Sequence, residues 1–141
     1  MAPKRVHLKS KSPSIRFGAV SHITVGAKGA IKDPPEKFLA AQDEIVVWAV
    51  TNASGESLTV TCKEFLRKKH LGDPEGDPHD PVTPFVWLVS DTLQLANGAS
   101  GVIAGTVNYK RRDLVDGISY TIEVVGNSFA FDYDPDGDIK P

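Results

Sequence analysis

What the chain lacks sets its bounds. It has one cysteine, Cys62, and one methionine, Met1, so no internal disulfide can form. No stretch approaches the roughly eighteen apolar residues of a membrane helix, and no apolar run of seven or more follows the basic start, which leaves neither a span nor a secretory signal. The expected compartment is the cytoplasm. Excess charge is also missing: 16 Lys and Arg stand against 18 Asp and Glu, a formal charge of -2. That balance excludes both a uniformly cationic nucleic-acid binder and a polyanionic disordered tail. At 141 residues the chain buries about two thirds of its unfolded surface, enough for one ordinary domain.

What is present is punctuation: 12 glycines and 10 prolines separate short segments rich in Val, Ile, Thr and aromatics, the pattern of an antiparallel sandwich or barrel. Strands are expected at His22 to Val25, Glu44 to Asn52, Leu58 to Cys62, Phe85 to Val89, Val102 to Val107 and Ile118 to Val124, with Phe129 to Phe131 and Ile139 closing the chain. Arg5 to Leu8 and Ile15 to Ala19 read as an edge strand or a flexible arm. Asp33 to Ala40 reads as one helical turn or an extended pass across the sheet. Glu44 to Asn52 is nearly continuously apolar and β-branched, as in a central strand, and should form a hairpin with Leu58 to Cys62 across the Ala53-Ser54-Gly55-Glu56 turn. Gly72 to Pro84, with four prolines, cannot be helix or ladder-paired strand and reads as an exposed loop. The result is an all-β domain of seven to eight strands spanning 15–141, preceded by a basic arm at 1–14. Core candidates are Val46, Trp48, Val50, Leu58, Val60, Trp87, Val89, Ile103, Val107, Tyr120 and Ile122.

Four segments carry a family likeness. Gln42-Asp43-Glu44 leads into Val46-Val47-Trp48-Ala49-Val50-Thr51-Asn52, Leu58 to Phe65 follows a glycine-containing turn, Gly117-Ile118-Ser119-Tyr120-Thr121-Ile122 comes late, and Phe129 to Ile139 ends the chain. Over about residues 20–140 the chain resembles the cupredoxin-like family of Greek-key β-sandwiches. Copper-binding members take a histidine from the strand after the Trp-containing one, and Cys, His and Met from the loop after the Tyr-containing one. Here Leu58 falls near the first place and Val124 near the cysteine's, while Gly126 to Phe131 offers no thiolate, imidazole or thioether. The resemblance therefore implies the scaffold without the copper chemistry, which needs a thiolate and two imidazoles converging.

Asp132-Tyr133-Asp134-Pro135-Asp136-Gly137-Asp138-Ile139 matches the first eight positions of a calcium loop. It stops before the bidentate Glu and lacks flanking helices, so Asp132, Asp134, Asp136 and Asp138 read better as an acidic turn capping backbone amides. Asp73, Glu75, Asp77, His79 and Asp80 could cage a divalent cation, but solvated turn chemistry explains them. Cys62 on an alternating strand reads as a small hydrophobe, with His70 eight residues away. Ser54, Ser57, Ser90 and Ser100 have no nucleophile elbow, and Gly26-Ala27-Lys28-Gly29 lacks the phosphate-cradle ending. No cofactor and no catalytic residue is expected.

Charge placement says more than the total. Residues 1–16 hold Lys4, Arg5, Lys9, Lys11 and Arg16 with no acid, whereas 132–138 hold four acids and no base. The arm could contact phosphates together with Lys63, Arg67, Lys68, Lys69, Arg111 and Arg112, or meet the acidic end of another copy or a charged protein. The expectation is a non-enzymatic module that works by protein contact or self-assembly, with Lys4, Arg5, Lys9, Lys11, Asp73, Glu75, Asp77, His79 and Asp80 as interaction candidates. Nucleic-acid or acidic-partner binding through the arm is the alternative, and weak divalent-metal binding by the acidic turn is a further one. No membrane partner is expected.

Overall fold

The apolar run at 45–50 becomes the centre of a sheet, because β-branched residues on both sides of a strand suit a position flanked by two neighbours. This strand, Ile45–Asn52, is the fourth of eleven in a computed structural model that describes residues 16–32, 37–67, 81–108 and 117–140. Numbered in chain order, they are β1 Phe17–Val25, β2 Ile31–Lys32, β3 Phe38–Ala41, β4 Ile45–Asn52, β5 Leu58–Arg67, β6 Phe85–Trp87, β7 Thr92–Leu95, β8 Ser100–Val107, β9 Ile118–Gly126, β10 Ala130–Tyr133 and β11 Asp136–Lys140. The first sheet runs β2-β1-β4-β8-β6 and the second β3-β11-β9-β5-β7, with β10 also on β9. Two pairs are parallel, β1 with β4 and β11 with β3. The chain is thus an all-β, two-sheet sandwich.

Eleven strands replace the seven or eight expected. His22 to Val25 is the end of a longer β1, whose bulge between Phe17 and Ala19 hides its alternation. Of the 33–40 segment, the described part beyond Lys37 is extended as β3. Thr92–Leu95, which carries no aromatic or valine, was not expected as a strand and pairs with β5. The closing segment divides into β10 and β11.

The expected hairpin of β4 with β5 does not form. Both edges of β4 are taken, by β1 and β8, so the chain leaves for the other sheet and β5 pairs with β7 and β9. Asn52, fully buried, holds that crossing. Its Nδ2 donates to the carbonyls of Glu56 at 2.7 Å, Leu95 at 3.1 Å and Ala96 at 3.0 Å, and its Oδ1 accepts from the amide and hydroxyl of Ser54. Glu56 then reaches the far turn, accepting from the Ser128 amide at 2.8 Å and hydroxyl at 2.7 Å. Those bonds, the backbone one first, hold its carboxyl below the usual carboxylate range.

Between the sheets lie six rings, three from each side: Trp48, Phe85 and Trp87 from the first, Phe38, Phe65 and Tyr120 from the second. Phe65 stacks on Tyr120 with centroids 5.2 Å apart and planes 8° apart, while Trp48 meets Phe85 edge-on at 5.4 Å. Trp48 Nε1 donates to Tyr120 Oη at 3.0 Å, which pairs the side-chain polar atoms of these two buried rings. Phe65 gets there by a bulge. Leu58, Val60 and Cys62 face inward, so strict alternation would bury Glu64; the register shift between Lys63 and Leu66 and a positive φ of 56° at Glu64 put Phe65 inward instead. Gly137 matters for the same core, because a Cβ there would collide with the Phe38 ring.

Nine of the eleven core candidates are buried. Trp87 is half-buried at the end of β6. Val89 is 97% exposed: β6 ends at Trp87 and the chain bends at Leu88 and Val89, so the apolar run outlasts the strand. Expectations on residues 1–15, 33–36, 68–80 and 109–116 lie outside the described residues. These include the 1–14 arm, most of the 72–84 loop and the charged turn at 110–113. No helix among the described residues is long and apolar enough to cross a membrane.

Candidate functional site

The two outer faces of the sandwich differ in kind. On the second sheet the outward residues are mostly those of a solvated surface: Thr59, Thr61 and Lys63 on β5, Glu123 on β9 and Gln94 on β7, with Val125 and Leu39 as exposed apolar residues among them. Lys63 and Glu123 pair there at 2.6 Å, and the carboxylate raises the Lys63 ammonium above its usual range. The first sheet carries no such pattern. Its outward register runs Phe17, Ile45, Thr106, Val86 in one row, then Val20, Val47, Ala104, then His22, Ala49, Val102, then Thr24, Thr51, Ser100. Lys32 on β2, opposite Thr24, stands at the corner of this side, and the outward positions of β1, β4, β8 and β6 hold no Asp, Glu, Lys or Arg.

The sequence makes this face by supplying apolar residues at both parities. In β4, Val46, Trp48 and Val50 go inward and are buried, which leaves Ile45, Val47 and Ala49 outward. In β8, Ile103 and Val107 go inward and Val102 and Ala104 outward. A near-continuous apolar strand is the pattern of one covered on both faces. Here only one face lies on the core, and Phe17, Val20, Val86 and Val102 are 64%, 51%, 56% and 58% exposed. Leu88, 55% exposed, extends the row beyond β6, its amide donating to the Ala104 carbonyl at 3.0 Å. Scattered exposed valines are ordinary, whereas these form one contiguous patch across four strands. The signal that could have revealed it is the double parity of 45–50 and 102–104, which at 44–52 suits a central strand equally well.

Clefts are found among the described residues as well. One, about 750 Å³, lies between β5 and β6 and is lined by Phe65, Leu66, Val82, Phe85 and Trp87, with Cys62 and Asp91 at its margin. Its lining is the outer side of the aromatic core, together with the polar residues Lys63, Glu64 and Thr83. Another, about 440 Å³, lies at the end of the second sheet against Leu58, Gln94 and Asn127.

Among the described residues, those singled out for chemistry do not come together. Asp132 stands on β10 opposite Glu123, Asp136 and Asp138 belong to β11, and the acidic turn shrinks to Asp134 and Pro135. Asp134 accepts from the Thr121 hydroxyl at 2.8 Å, where caps on backbone amides were expected, and Asp138 lies 3.9 Å from the Lys37 ammonium. Among the described residues no three His, Cys, Asp or Glu side chains are placed to hold a metal ion. Leu58 and Val124 are buried, inward-facing aliphatic residues. Lys4, Arg5, Lys9, Lys11, Asp73, Glu75, Asp77, His79 and Asp80 lie outside the described residues.

Cys62 is 1% exposed. Burial first, then the charge of nearby Asp91, pushes its thiol up to about 12, so at neutral pH it holds almost no thiolate, the form that attacks. A disulfide reagent should therefore modify Cys62 in the native protein at least about a hundredfold more slowly than in urea. Equal rates in the two states, followed by the release of thionitrobenzoate, would restore Cys62 as a nucleophile candidate.

No model of a known protein family and no curated protein matches the chain.

Proposed function

We propose that this chain is a non-enzymatic protein-interaction module on a copper-free cupredoxin-like scaffold, and that the outer face of the first sheet is its contact surface. The observation that carries the reading is that no outward position of β1, β4 or β8 holds Asp, Glu, Lys or Arg, beside a second sheet whose outward residues on β5 are polar or charged. The scaffold reading is supported by the residues of the resemblance. Trp48 and Asn52 from the Val-x-Trp-x-Val-x-Asn strand and Tyr120 from the late strand are all buried and bonded, so their pattern is accounted for by packing. The non-enzymatic part rests on the buried thiol and on the dispersal of Asp132, Asp134, Asp136 and Asp138. A cytoplasmic setting agrees with a lone reduced cysteine.

The test is binding by the full chain, immobilised at low density, with itself and with cell extract as analytes, compared with Val102→Lys. Val102 is 58% exposed, so the variant keeps its fold while a charge enters the apolar face. Binding by the wild type that is lost in the variant is the expected outcome. Retention of every bound species by the variant, or no binding to anything, would leave the reading without support.

A further inference from the structure

Resting on that reading, we infer that the partner of the first sheet's outer face is a second copy of the same chain, packed sheet on sheet about a two-fold axis.

Size comes first. Four strands at about 4.8 Å spacing and seven residues at about 3.3 Å rise give a face that projects to about 400 Å². One such patch is of the size monomers leave bare for a purpose, since their largest are about 300–600 Å². Two of them apposed bury about 800 Å², and the Phe17 ring and Leu88 at the rims add to it. Specific stable complexes start at about 1,200 Å², so the face fits a weak, reversible dimer and not an obligate one.

Charge then selects the occupant. A two-fold interface sets each patch against itself, so any charged residue near the axis would meet its own copy or lie buried unpaired. The outward positions of β1, β4 and β8 hold no Asp, Glu, Lys or Arg, with His22 their one ionisable side chain, and Lys32, opposite Thr24 on β2, sits at the corner of the sheet. A strongly charged partner would find no carboxylate here and no Lys or Arg except Lys32 at the corner. Relief supports the same choice. Ala49 and Ala104 lie among Val47, Val102 and Val20 in adjacent registers, small beside large, which is how two sheets interdigitate at about 10 Å and an angle near -30°.

Sedimentation equilibrium of the full chain from low micromolar to about millimolar concentration, at low and high salt, tests this, with Val102→Lys and Val86→Glu as separate variants and Val125→Lys as a control on the other sheet. Val86 and Val102 are 56% and 58% exposed and Val125 is 39% exposed, and far-ultraviolet circular dichroism checks that each variant is folded. The wild type is expected to pass from monomer to dimer mass with rising concentration, no more weakly at high salt, since apolar burial is not screened. Either face variant should weaken the dimer about a hundredfold, because each substitution enters the interface twice. Val125→Lys should leave it unchanged. A wild type that stays monomeric at every concentration overturns the inference, as does a dimer that salt dissolves or that both face variants retain. A monomer whose capture of another protein is lost in Val102→Lys overturns the second copy while sparing the contact-face reading, whereas a monomer that captures nothing overturns both.

Discussion

Trp48→Ala should bring this protein close to its unfolding threshold. Deleting a large buried aromatic typically costs about 3–5 kcal/mol through lost transfer energy and the cavity left behind, against a total stability of about 5–15 kcal/mol for an ordinary domain. Trp48 is fully buried and touches rings from both sheets, Phe85 and Trp87 on its own side and Phe38 and Tyr120 on the other. Little can collapse into its place, because the neighbours are held by their own strands. The lost Trp48 Nε1 to Tyr120 Oη bond adds about 1 kcal/mol by stranding a buried hydroxyl. Urea unfolding followed by far-ultraviolet circular dichroism measures the total. Trp48→Phe, with Tyr120→Phe and the double variant, separates the hydrogen bond as a coupling of about 1 kcal/mol. A cost for Trp48→Ala below about 1 kcal/mol would mean that the ring cluster does not join the sheets as described.

Much of the sandwich was legible because its strands obey local rules. Ile118, Tyr120, Ile122 and Val124 alternate without a fault and are all buried, and Leu58, Val60 and Cys62 do the same until the bulge. What could not be read were the choices made by strand partners. The link at 53–57 has the composition of a hairpin turn, yet β4 already has two neighbours, and occupancy by β1 and β8 is a property of distant sequence. The bulge at Glu64 exchanges faces with no glycine to announce it. Val89 was misread because an apolar residue at the end of a strand pattern looks the same whether the strand continues or bends. For the site, the outward parity of β4 and β8 was visible residue by residue, but an apolar residue in a sequence does not say which side of the sheet the core occupies. The acidic segment drew attention through its spacing of two, which suits calcium ligation and a β-strand alike. The structure resolves it mainly into β10 and β11.

Asn52 gives the second large effect, through polarity instead of volume. Its amide meets three carbonyls, of Glu56, Leu95 and Ala96, and its oxygen receives two bonds from Ser54, so one side chain ties the end of β4, the crossing and the end of β7. Asn52→Ala leaves buried acceptors unmatched at about 1–3 kcal/mol each, and a net loss of about 3–4 kcal/mol is expected even with some water entering. Asn52→Asp keeps the shape and removes the donors. An ionised carboxylate facing three carbonyls in a buried site is strongly disfavoured, so the folded form should retain its proton to well above the unfolded aspartate value of about 3.9. Between those two values the folded state binds more protons than the unfolded state, and stability falls as pH rises. Relative to the wild type, Asn52→Asp should therefore be least damaged near pH 4, where the protonated acid still donates one bond, and most damaged at pH 7. Asn52→Ala, which adds no titrating group, should lose the same amount at both. Urea midpoints for the three proteins at the two pH values decide it: a pH-independent deficit for Asn52→Asp would show that water reaches the crossing and solvates the carboxylate, and that Asn52 is not the buried clamp between the sheets.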